Sequence, residues 1–143
     1  MLDTRQFPPE YSGPYPHMFP LDQEVWEHFR AKFGGMYLGF QYDVTCGMVS
    51  EKFGPLPPNY AKDAEILSKL RIDVVGESPE NIDIIEVKPR GNMAAIGQLL
   101  TYNNHYIKEY QPTKPVRMVL VCAYIDPNIV ELAENHGIVY IVV

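Results

Sequence analysis

Apolar and polar positions along the chain change period several times, and each change marks an element. Between Asp22 and Phe33 the residues Val25, Trp26, Phe29 and Phe33 recur at helical spacing. This predicts an amphipathic helix with those four turned inward and Gly34-Gly35 as its stop. Met36 to Thr45 alternates enough for a strand, and Gly47 to Lys69, with Pro55, Pro57 and Pro58, reads as a long connection. Leu70 to Val75 and Ile82 to Val87 are runs of branched apolar residues and predict two short, largely buried strands. The turn formers Gly76 to Asn81 join them as a hairpin. Asn92 can cap a helix reaching Tyr110, with Ile96, Leu99, Leu100, Asn103, Ile107 and Tyr110 as its buried face. Gln98, Tyr102, His105 and Glu109 fall on an adjacent stripe. Val116 to Tyr124 is a further buried strand, Asp126-Pro127 opens a short helix to Asn135, and Ile138 to Val143 is a last strand. The order is therefore helix, three strands, helix, strand, with a helix and a strand appended. It predicts an α/β domain with a mixed sheet.

The two ends of the chain differ from this pattern. In residues 1–20, Pro8, Pro9, Pro14, Pro16 and Pro20 alternate with Phe7, Tyr11, Tyr15 and Phe19. Proline at that density predicts an extended arm, packed through its aromatics on its own domain or a neighbour. A stacking platform for single-stranded nucleic acid is the alternative, but few basic residues accompany it. Residues 21–143 then form a single domain, long enough to bury a core without disulfides. The final strand is almost wholly branched aliphatic. Such a strand is expected at the centre of a sheet or under another subunit, because a bare edge invites aggregation; a homodimer follows as an expectation.

Candidate chemistry gathers at the paired strands. Side chains alternate across a strand, so Glu86 and Lys88 emerge on one face, and Asp73 can lie beside Glu86 if the hairpin is in register. Charged groups at the end of a buried strand are costly unless paired or bound to a metal. Mg2+ prefers one or two carboxylates, with waters and substrate phosphate completing its shell. Asp73 and Glu86 suit that role, joined by the main-chain carbonyl of Val87. A cation held there lowers the pKa of a bound water and offsets charge on a phosphorane-like transition state. Lys88 could orient that water, stabilise the same charge or serve as general base. An E-x-K triplet alone is common on solvated sheet edges. The buried run before Glu86, interrupted only by Asp83, sets this one apart.

Three segments, Arg71 to Val75 (R-I-D-V-V), Ile84 to Lys88 (I-I-E-V-K) and Gly97 to Tyr102 (G-Q-L-L-T-Y), resemble the PD-(D/E)XK nuclease superfamily. They look most like the branch with an additional Q-x-x-x-Y helix motif, found in recombination-type and CRISPR-associated exonucleases. Ile72 stands where the name-giving proline would be. The resemblance implies a restriction-endonuclease-like αβββαβ core. It implies Asp73 and Glu86 as ligands of Mg2+ or Mn2+, Lys88 as catalytic lysine, and Gln98 and Tyr102 as helix residues that line the site and touch DNA. On the residues alone, an amide and a phenol on one helix edge can bind phosphate or stack on a base, or be a solvated Gln98 and a half-buried Tyr102.

Charge changes the picture of how DNA would be held. The chain has 12 Lys and Arg against 18 Asp and Glu, a formal net charge of −6. Nucleic-acid-binding proteins ordinarily show a basic face, so weak intrinsic DNA affinity is expected, supplemented by a protein partner. Cys46 and Cys122 are expected as reduced core cysteines. The four histidines have no metal-ligand spacing, and Glu27 on the first helix is better read as solvated than as a further site acid. No membrane span or signal peptide is read, and a cytoplasmic protein is expected. The sequence thus points to a metal-dependent nuclease hydrolysing phosphodiesters, with DNA as substrate and metal-activated water as nucleophile. The rivals are a non-catalytic nucleic-acid-binding or assembly module of the same fold, and a purely structural dimerisation domain.

Overall fold

The computed structural model describes residues 6–15, 17–47 and 70–143. The connection expected beyond Gly47 and up to Lys69 lies outside the described residues, as do residues 1–5 and 16 of the arm.

Helix α1 spans Pro20–Phe33, with Pro20 in the first turn, where its missing N–H costs nothing. Strands β1 (Gly39–Cys46), β2 (Leu70–Glu77) and β3 (Ile82–Gly91) follow. Helix α2 (Met93–Tyr110) begins at Asn92, whose Oδ1 accepts the Ala95 N–H as a cap. Strand β4 (Val116–Ile125), a 3-10 turn (Pro127–Ile129), helix α3 (Val130–Asn135) and strand β5 (Ile138–Val142) complete the chain.

The five strands form one sheet in the order β1-β2-β3-β4-β5. The first three run antiparallel, and β3, β4 and β5 run parallel. Parallel neighbours need a crossover, and α2 and α3 supply the two, so this half of the sheet is covered by the helices that connect it. This is the mixed sheet with the expected αβββαβ order and the appended helix and strand.

A core lies on each face. Trp26 and Phe29 of α1 pack with Phe40, Ile85, Val87, Val119 and Val121 on one side. Leu99 and Ile96 of α2, with Ile129 and Ala133, pack with Ile84 and Leu120 on the other. Adjacent residues of β3 and β4 therefore serve opposite cores, and their sequences read as continuous apolar runs. Burying one such side chain contributes about 1.5–3 kcal/mol. Arm residues Phe7, Tyr11 and Tyr15 turn onto Tyr42, with Phe7 bridging to Phe40 of β1. Tyr15 is buried. Cys46 and Cys122 are free and buried in the α2-side core.

One expectation is corrected, on the face of α2. The buried side of α2 carries Ala95, Ile96, Leu99, Tyr102 and Tyr106, while Ile107 and Tyr110 are each 43% exposed. Tyr110 leans out to donate to the Thr45 carbonyl at 2.7 Å, and the helix presents Tyr106 to the sheet in place of Ile107. Of the two placements expected for the last strand, the centre of the sheet is not the one taken: β5 is an edge, with Val139 and Val142 partly exposed.

Asp83 explains its own interruption of an apolar run. It is fully buried, receives both Arg117 Nε (2.8 Å) and Nη2 (2.7 Å), and accepts the Tyr37 hydroxyl at 2.7 Å. Asp83 and Arg117 are cross-strand partners, and Gly76 is opposite Asp83 on β2. The Tyr37 ring lies over Gly76, where a Cβ would sit 2.8 Å from it. No described helix is long and apolar enough to cross a membrane.

Candidate active site

The β2–β3 ladder begins at Glu77↔Ile82 and runs to Val74↔Ile85, where it stops. Asp73 and Glu86 are the next residues on the two strands, just where the strands part. Asp73 turns its carboxylate into the gap, and its Oδ2 accepts the Val87 N–H at 2.9 Å. Glu86 and Lys88 share a face of β3, and Lys88 Nζ lies 3.6 Å from Glu86 Oε1, an ion-pair contact longer than a hydrogen bond. These residues form the floor of a cleft of about 480 Å3, walled by His17, Phe19 and Asp22 on one side and by Arg90 and Asn92 on the other.

Burial dominates the electrostatics of the carboxylate pair. Glu86 is only 4% exposed. Burial, and then the charge of Asp73, push its carboxyl up to about 9, with Lys88 pulling only partly the other way. Burial likewise raises Asp73 to about 6, against the Val87 N–H that stabilises its charged form. Two carboxyl groups so close cannot both ionise cheaply, and near neutral pH the pair retains a proton. Glu86 Oε2 is buried without a hydrogen-bond partner. A buried, unpaired carboxylate oxygen is expensive in a protein that offers it nothing, and hard oxygen donors are what Mg2+ and Mn2+ take. Among the described residues no group of three or more His, Cys, Asp or Glu side chains gathers as a metal cluster. The donors that could hold such a cation are Asp73, Glu86 and the Val87 carbonyl, all three residues lining the cleft.

Gln98 and Tyr102 sit together on α2, Gln98 Nε2 donating to Tyr102 Oη at 3.4 Å. They do not line the cleft. Tyr102 is 6% exposed, inside the α2-side core. Burial, with the charges of Glu86 and Asp73 behind it, pushes its phenol well up. Gln98 Oε1 is buried and unpartnered, a second orphan oxygen in this neighbourhood. Glu27 points away from the cleft, to Tyr15 and Arg30. The first helix instead brings Asp22, which sequence reasoning passed over. Its Oδ2 accepts the Phe19 N–H at 3.2 Å, the signature of an ordinary helix start, so its spacing held no sign of a second role. His17, Phe19, Arg90 and Asn92 were also missed as cleft residues, because only the fold brings the arm and the α2 cap to the same opening.

Residues 45–142 match the family described as the Endonuclease NucS C-terminal domain. That span contains Asp73, Glu86, Lys88, Gln98 and Tyr102, and leaves out α1 and Asp22. A solved structure, described as a repair endonuclease from Pyrococcus abyssi, is similar at 18% identity and a TM-score of 0.50. The likeness covers 94% of this chain and 48% of that one, so the chain spans about half the length of that protein. No curated protein matches. The similarity in structure supports a restriction-endonuclease-like fold, and the matched span covers most of the chain. The chain belongs to the family of the endonuclease NucS C-terminal domain.

Proposed function

We propose that this chain is a metal-dependent nuclease domain that hydrolyses phosphodiester bonds of DNA, of the branch with the Q-x-x-x-Y helix motif. One observation carries the reading. Asp73 and Glu86 are buried side by side at the floor of an open cleft, with Glu86 Oε2 unpartnered and Lys88 at the same point. Bound Mg2+ or Mn2+ supplies an activated water and offsets charge on the scissile phosphate. Asp73, Glu86 and the Val87 carbonyl would hold it, with Glu86 in its ionised form. Lys88, 3.6 Å from Glu86 Oε1, would hold the attacking water or a phosphate oxygen. Gln98 and Tyr102 act from behind the carboxylates on α2, supporting the pair and not touching substrate in the cleft.

The net charge of −6 leaves little electrostatic hold on DNA, and the repair endonuclease from Pyrococcus abyssi is about twice as long as this chain. We assign the missing affinity to a protein partner or a further domain. A homodimer through the exposed β5 edge is compatible with that. The free cysteines fit a reducing, cytoplasmic setting. The non-catalytic module is favoured only by the small donor set.

Mn2+-dependent degradation of linear and nicked circular DNA by wild type and Glu86→Ala tests the proposal. Cleavage by wild type alone supports it, and loss of the circle would show endonuclease action. Absent cleavage, or equal cleavage by Glu86→Ala, would move the chain to the binding-module reading.

A further inference from the structure

Asp43 lies in the middle of β1 with φ at +55°, a left-handed backbone that a strand residue does not normally adopt. The β1–β2 register runs through Tyr42↔Val74 and resumes at Val44↔Ile72, so the rung between them, Asp43 opposite Asp73, is left open. In a regular strand, residues two apart share a face. Here they do not. Phe40 and Tyr42 serve the α1-side core, whereas Val44 and Cys46 serve the α2-side core. Strand β2 makes the same exchange, with Val74 on the α1 side and Ile72 on the α2 side. Both strands therefore turn over at this one rung, and it is beside this rung that β2 leaves β3.

The turned-over conformation is held by polar contacts to the Asp43 side chain. Arg71 Nη1 donates to Asp43 Oδ2 at 2.8 Å, and His17 Nε2 lies 2.9 Å from the same oxygen. Asp tolerates the left-handed region better than most residues, while a β-branched residue is strongly disfavoured there. Local backbone strain retained at such a place is commonly part of a site's geometry.

We infer that Asp43 is the positioning residue of the carboxylate pair: its left-handed backbone turns β1 and β2 over, which frees Asp73 from the sheet and directs its carboxylate onto the Val87 N–H, facing Glu86. The functional consequence rests on the metal-site reading; the geometric claim does not. The conformation is the working part, and Arg71 and His17 secure it. Asp43 acts through Asp73 and is not among the residues lining the cleft.

The test uses Asp43→Val, Asp43→Asn and Asp43→Gly in the full chain without metal. The exchange rate of the Val87 amide is read against the amides of Leu120 and Val121 on β4. Val87 exchange rises at least about tenfold in the valine variant, the scale set by the left-handed penalty, with Leu120 and Val121 unchanged. The glycine and asparagine variants, which accept that conformation, stay within about threefold of wild type. Unchanged Val87 exchange in Asp43→Val overturns the inference. Equal acceleration in all three variants also overturns it, because the carboxylate and not the backbone would then be responsible. If the valine variant does not fold, Asp43→Ala against Asp43→Gly makes the same comparison, and equal Val87 exchange in those two overturns it. Thermal shift by Mn2+ is measured on the same samples. A wild type that shows no shift would undo the metal-site reading while leaving the Val87 contrast to decide the role of Asp43.

Discussion

Glu86→Gln isolates the cost of keeping a buried acid in place. The side chain is 4% exposed, its Oε2 has no partner, and its carboxyl is raised from 4.5 to about 9. Between those values the unfolded chain releases the proton while the folded chain keeps it. The folded state then binds more protons than the unfolded state, and stability falls as pH rises. Below 4.5 both states hold the proton and nothing is lost. From pH 4.5 to 7 the loss is on the order of 3 kcal/mol, at about 1.4 kcal/mol per unit of pH. Glutamine is neutral throughout, so metal-free Glu86→Gln gains on wild type by that amount over the interval. For a chain of this size the gain corresponds to roughly 6–12 °C in Tm. Urea unfolding with a chelator at pH 4.5, 6, 7 and 8 measures it. Parallel pH profiles for the two proteins would refute the reasoning, and so would a less stable variant at pH 8. Added Mn2+ should recover the lost stability in wild type, more at pH 8 than at pH 6, and leave Glu86→Gln unmoved.

Two further outcomes follow from the packing. Arg117→Ala leaves Asp83 fully buried with only the Tyr37 hydroxyl, and should cost about 3–5 kcal/mol in urea unfolding. A cost below about 1 kcal/mol would mean that water reaches Asp83. Gly76→Ala sets a methyl 2.8 Å from the Tyr37 ring and 3.1 Å from Phe40. It should cost about 1–3 kcal/mol and weaken the Tyr37–Asp83 bond, read as a lower Tm.

The carboxylates and lysine were legible because the chemistry is local in sequence. Glu86-Val87-Lys88 sits on one strand, and a strand's period of two settles which side chains share a face. Asp73 came with them only as far as the hairpin turn could be recognised at Gly76 to Asn81. The element types were legible for the same reason, since helical and strand periods differ and glycine and proline mark the ends. The face of α2 was less so. Tyr106 and Ile107 are adjacent and both apolar enough to bury, and the choice between them was made by the sheet they pack on, with the Tyr110–Thr45 bond as its anchor.

What the sequence alone determined, then, is the order of elements, the mixed sheet they imply and the acids and lysine on neighbouring strands. Tertiary structure decided which first-helix acid reaches the cleft. Glu27 is taken by Tyr15 and Arg30, whereas Asp22 at the helix start is carried to the opening. It also placed the most apolar strand at the edge and satisfied Asp83 from two elements distant in sequence. Most of all it decided Asp43, an unremarkable aspartate in a strand pattern whose backbone reverses two strands at once. The physical reason is the same in each case. Periodicity reports how a side chain projects from its own element, but burial, pairing and backbone strain are settled by neighbours far away in the chain.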